Sequence, residues 1–145
     1  MAMLRKPGSK AYRDHQRERL ASLGVRGYQV IEQLVASLIR CGYRPREAWR
    51  LACELTQDEV AVRFNRIRAD AKIRMRGSRI CEYEKWPVGG ARPSVRVLKI
   101  LASIYGTSWD RLVDIDDLDA MPAPERQAFL DFGRVPNCRG RARIN

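Results

Sequence analysis

From Tyr28 to Val113 the apolar residues recur at three- and four-residue spacing, and Gly, Pro, Ser and Thr repeatedly interrupt the run. This pattern asks for a series of short amphipathic helices, each with one stripe to bury. Val30, Ile31, Leu34, Val35, Leu38 and Ile39 form the first stripe, and Gly42 ends it. Pro45 suits the opening turn of a second helix bearing Ala48, Trp49, Leu51, Ala52 and Leu55. Thr56-Gln57-Asp58-Glu59 has the form of a capping box, followed by Val60, Ala61 and Phe64. SRICEYEKW reads as a short helix stopped by Pro87 and Gly89-Gly90. Pro93-Ser94 opens the next, with Val95, Leu98, Ile100, Leu101, Ile104 and Tyr105 inward and Gly106 as its C-cap. Ser108 is expected to cap WDRLVDID, with Trp109, Leu112 and Val113 inward, and PERQAFLDF is a last short helical candidate. No period-2 alternation marks a strand, so the fold class is all-α.

A chain of 145 residues buries one modest core. No segment approaches the roughly 18–20 apolar residues of a membrane span. The start, MAMLRKPGSK, lacks the apolar region of a secretory signal, so a cytoplasmic, nucleoid-associated protein is expected. Cys41, Cys53, Cys81 and Cys138 contain no CxxC pair and read as reduced thiols. With His15 as the single histidine, no metal site, cofactor or histidine-based catalytic group is expected, and the chain is not read as an enzyme. Gly89-Gly90 lacks the spacing of a phosphate cradle and reads as a turn. The cluster Asp110, Asp114, Asp116, Asp117 and Asp119 lacks the order of a calcium loop and reads as a solvated acidic face.

Charge is unevenly distributed. The net charge of +11 divides into +5 over residues 1–26, −1 over 27–62, +8 over 63–99, −5 over 100–133 and +4 over 134–145. A basic stretch set within a helical core is the electrostatic footprint of a polyanion binder, because phosphate contacts release condensed counterions. The two ends, rich in charge with Pro and Gly, read as basic tails.

Three blocks of this chain resemble the Cro/C1-type helix-turn-helix regulators of phages and bacteria. LTQDEVAVRF looks like the family's L-T-Q-E-E-L-A helix, and SRICEYEKW like its recognition helix. RPSVRVLKILASIYGTSWDRLVD looks like its closing pair of helices. Together they cover about half the chain, and EYEKWPVGGARPS is particularly like actinobacterial members. The resemblance implies a five-helix phage-repressor-like domain over about residues 44–118. It is preceded by an extra helix at 27–43 and a tail at 1–26, and followed by a short helix and basic tail at 119–145. The extra helix is expected either to pack on the domain or to serve a dimer, because its stripe needs a partner.

The resemblance also implies roles residue by residue. Gln57 matches the glutamine that hydrogen-bonds a phosphate at a helix N-terminus. Ala61 matches the small residue where the motif helices cross, and Ile80 the plug that ties the recognition helix to the core. Arg76, Gly77, Ser78 and Arg79 form the loop and first turn facing DNA, with Arg79 and Arg76 as candidate base readers. Glu82 is placed either on a cytosine amino group or on Lys85. Tyr83 is expected at the core edge and Glu84 in a structural hydrogen bond or ion pair. Lys85, Arg92, Ser94 and Arg96 flank the exit, where the family touches phosphate. Cys81 and Trp86 are read as packing residues.

The sequence departs from the family pattern in two places. Eighteen residues separate Ala61 from Ile80, more than a short motif turn requires. The surplus, Arg66 to Arg74, either carries an arginine comb to a neighbouring phosphate row or is a solvated loop. Arg76 also stands where a small capping residue is usual, leaving the cap to Gly77 or Ser78. The expected function is a sequence-specific double-stranded-DNA-binding transcriptional regulator, a homodimeric repressor type with the 78–86 helix in the major groove. The alternatives are an architectural nucleic-acid binder without sequence preference, and a protein-interaction adaptor. Such an adaptor would be antitoxin-like or a partner of transcription machinery, using the acidic 110–119 face or the 27–42 helix.

Overall fold

A computed structural model describes residues 6–134. Within them the chain forms α1 (Lys10–Ser22), α2 (Tyr28–Arg40), α3 (Pro45–Ala52), α4 (Gln57–Ile67), α5 (Gly77–Lys85) and α6 (Val95–Tyr105). A 3₁₀ turn (Trp109–Leu112), α7 (Ile115–Ala120) and α8 (Ala123–Arg134) follow. The described residues are all-helical, without strands.

One cluster holds these elements together. Leu34 and Leu38 of α2, Ala48 and Trp49 of α3, Val60 and Phe64 of α4, Ile80 of α5, Leu98 and Leu101 of α6 and Leu112 of the 3₁₀ turn are all buried in it. Local chemistry sets the helix starts. Thr56 Oγ1 accepts the Glu59 N–H at 3.1 Å while Glu59 Oε1 accepts the Thr56 N–H at 2.8 Å, completing the capping box. Ser94 Oγ caps α6 through the Val97 N–H, and Gly106 (φ 75°) supplies the left-handed residue that ends it. Most of the α2 stripe is absorbed within the chain: Leu34, Val35 and Leu38 are buried and α2 packs chiefly on α3, whereas Ile39, read as part of the stripe, is exposed at the helix end.

Three expectations are corrected. The first concerns the segment read as an N-terminal tail, half of which is the helix α1. It buries no residue fully and has no apolar stripe, so periodicity does not reveal it. Polar contacts dock it instead. Arg13 Nε and Arg17 Nη1 lie 2.8 and 2.7 Å from Glu54 Oε2, Arg17 Nη2 donates to the Ala52 carbonyl, and Tyr12 meets Ser37. Glu54 presents its carboxylate from a left-handed backbone (φ 58°) just past α3.

Second, Ser108 Oγ bonds Asp110 rather than capping a helix, and WDRL is a single 3₁₀ turn. Asp114 caps α7 instead, in a reciprocal box with Asp117. Third, the aspartates are not a uniformly solvated face. Asp117 is fully buried and Asp114 is paired to Arg44 at 3.0 Å, because α7 folds back onto α3. The short C-terminal helix is present as α8, where Phe129 and Phe132 pack on the Trp109 ring. The rest of the C-terminal tail, with Cys138, lies outside the described residues. No described helix is long and apolar enough to cross a membrane.

Candidate nucleic-acid interface

The short helix α5 has two sharply different sides. Ile80 (1% exposed), Tyr83 and Glu84 point into the core, whereas Arg76, Ser78, Arg79 and Lys85 are exposed. Arg76 occupies the N-cap position in extended geometry with no side-chain cap bond, so the helix begins at Gly77. The Arg79 guanidinium lies 5.5 Å from the centre of the Tyr83 ring, one turn along. Its contact is a ring face rather than a carboxylate, so its charge stays uncompensated.

Two buried arginines of α3 fix the inner side of α5. Arg50 Nε and Nη2 donate to Glu84 at 2.6 and 3.1 Å, and Arg50 Nη1 donates to the Leu55 carbonyl. Burial alone would lower the Arg50 pKa, but bonding to Glu84 outweighs it and holds the guanidinium above its ordinary value. Arg46, 0% exposed, bonds the carbonyls of Tyr83 and Leu112 and both carboxylate oxygens of Asp117. Its Nη2 also donates to the Trp86 carbonyl, and its guanidinium lies 5.9 Å from the Trp86 ring centre. A buried cation at the last carbonyls of α5 complements the negative end of that helix. One arginine thus ties α3 to the end of α5, the 3₁₀ turn and α7. Burial opposes the Asp117 charge, but bonds from Arg46 and the nearby Arg44 hold its carboxyl below the ordinary 3.8.

The structure redistributes several residues assigned from sequence. Gln57 Nε2 donates to Glu84 Oε1 at 3.1 Å, so its amide joins this network instead of pointing outward to a phosphate. Gly77 is buried rather than facing outward. A Cβ there would lie 2.0 Å from Asp58 Oδ1, so glycine lets the first turn of α5 sit against that of α4. The Asp58 carboxylate thereby meets the positive end of α5. Arg92 pairs with Glu125 of α8, which removes it from the pool of uncompensated cations. Ser94 is a helix cap, with Arg96 beside it exposed and unpaired among the described residues. Glu82 is half-buried and makes no ion pair with Lys85.

Glu84, Tyr83, Ile80 and Ala61 sit as expected. Cys81 is only half-buried. With Cys41, Glu47 and Lys85 it lines an open cleft of about 480 Å³ in which burial, then Glu84, pushes the Glu47 carboxyl up. Cys41, Cys53 and Cys81 are free thiols. Among the described residues no three His, Cys, Asp or Glu side chains gather as a metal site.

The sequence reading missed Arg46, Arg50 and Asn65. The first two left one signal, two cations one turn apart in an eight-residue helix whose residues are otherwise mostly apolar or buried. Asn65 left none. Eleven Lys and Arg lie between Arg63 and Lys99. Among the described residues, Arg92 is the one of these with a carboxylate partner. Comparison with models of known families, with curated proteins and with solved structures finds no match.

Proposed function

We propose that this chain is a double-stranded-DNA-binding transcriptional regulator of the Cro/C1 helix-turn-helix kind. In this reading the first turn of α5 enters the major groove. The observation that carries it is the division of α5 into a core-locked inner side and an outer side bearing Arg76, Ser78 and Arg79. Arg76 and Arg79, with Lys85 at the other end of the helix, have no carboxylate partner among the described residues. An arginine held in this way can bridge guanine O6 and N7, a pairing worth about 1–3 kcal/mol of discrimination. Lys85 and Arg96 supply phosphate contacts that fix register. The chemistry is non-covalent: charge steers the protein to the duplex, and occupancy alters transcription. A homodimer on an inverted repeat fits the mode of action of such proteins.

Selection of bound duplexes from genomic fragments tests the proposal. The expected result is an enriched motif with two-fold symmetry, bound about 10³-fold or more tightly than random duplex in competition. Equal binding to all sequences would identify an architectural binder instead. The adaptor reading loses support from the burial of Asp117 and the pairing of Asp114, which shrink the acidic face it would use.

A further inference from the structure

Nine residues, 68–76, connect α4 to α5. Asn65, within α4, closes this connection at its base. Its Nδ2 donates to the Met75 carbonyl at 3.0 Å and its Oδ1 accepts the Met75 N–H at 2.7 Å. The side-chain amide thus satisfies both backbone groups of one residue, as a paired strand would. Inside the closure the Ala71 N–H donates to the Arg68 carbonyl, making a turn. Met75 packs against the core, and Asp58 meets Gly77 two residues later. The chain therefore leaves the far end of α4, turns and returns alongside that helix to deliver Arg76 and α5 at its near end.

This geometry gives the loop a fixed direction. Arg66, Lys72 and Arg74 are exposed, and Ile73 at 88% exposure stands clear of the protein. Arg68 is half-buried at the foot. None of the four cations has an ion pair among the described residues, and Asp70 is the only acidic residue in the segment. Like charges this dense repel one another, and ordering such a connection costs conformational entropy. A clip that holds the loop in place, two residues ahead of α5, suits a surface that meets a row of anions.

We propose that residues 66–74 are a second DNA-contact element, holding phosphates that flank the base pairs facing α5. This rests on the proposed function above, and extends its footprint beyond the recognition helix. Phosphate is the ligand chemistry, and the duplex backbone its source.

The test is a salt series of duplex binding. Full-length protein is compared with a variant carrying Arg66→Ala, Lys72→Ala and Arg74→Ala, which spares half-buried Arg68 and the Asn65 clip. A mixed-sequence duplex and the selected motif serve as probes. Losing these contacts should make the dependence of log K on log salt shallower by about 2–3. Hydroxyl-radical protection should disappear on the flanking phosphates while the preference for the motif persists. A variant with lysine at all three positions should keep the parent slope. Parent and alanine variant binding the duplex with the same slope and footprint would overturn the loop proposal and leave the α5 reading standing. Absence of duplex binding by the parent would overturn both, so the parent curve separates the two failures. Matching thermal midpoints check that the variants are folded.

Discussion

Arg46 and Arg50 lie one turn apart on α3, 0% and 8% exposed, and give their hydrogen bonds to carboxylates and backbone carbonyls of the protein itself. Arg76 and Arg79 lie at the start of α5, exposed, with no carboxylate partner among the described residues. The charge is the same in both regions, and the surroundings make the difference. On α3 the guanidinium has lost its water, so its remaining contacts must be complete, and it fastens four elements together. On α5 it keeps its water and stays free to exchange it for an anion. A basic chain is therefore not simply a polyanion binder with a large charge. Part of its arginine content is internal joinery, and among the described residues the cations between Arg63 and Lys99 are, apart from Arg92, without a carboxylate partner.

The largest effect expected from breaking this contrast comes from α3. Arg46→Ala takes two guanidinium bonds from buried Asp117, leaving it Arg44, and removes the donor from three carbonyls, and should cost about 3–5 kcal/mol in denaturant unfolding. The same pair responds to acid. Asp117 releases its proton more readily folded than unfolded, so the pair's contribution is intact above the unfolded value and is lost as pH falls through the folded one. The melting temperature should therefore gain no acid loss from this pair above about pH 4 and decline below it. Asp117→Asn should abolish that component of the decline.

Arg79→Ala should do the opposite. Stability should stay within about 0.5 kcal/mol, while discrimination for the selected motif falls by about 1–3 kcal/mol in competition titrations. Undiminished discrimination would move base reading off the first turn of α5. The smallest effect is expected at Arg96. Its replacement by alanine should weaken binding evenly across sequences and reduce the salt slope by about 0.9, the signature of one phosphate contact.

Helix content was legible from residue spacing because a stripe with a 3.6-residue period reports its own burial, as in α2, α4 and α6. Cap chemistry fixed the starts of α4 and α6 for the same local reason. The fastenings of α5 were less legible, because Arg46 and Asp117 are 71 residues apart and no local pattern announces a buried pair. Gln57 shows the limit from the other side. Its position at a helix start suits an anion, yet Glu84 lies within reach and takes its amide. α1 escaped notice because ion pairs to Glu54, not an apolar face, hold it.

Taken alone, the sequence determined an all-helical chain, the positions of most of its helices and the place where positive charge accumulates, since each depends on neighbours a few residues apart. Only the tertiary structure decided which charges are consumed inside the protein and which remain outside. It also turned a long basic interruption into a clipped loop beside α5. Burial and pairing between distant residues are properties of packing, and packing is where Arg46 and Arg79 part ways.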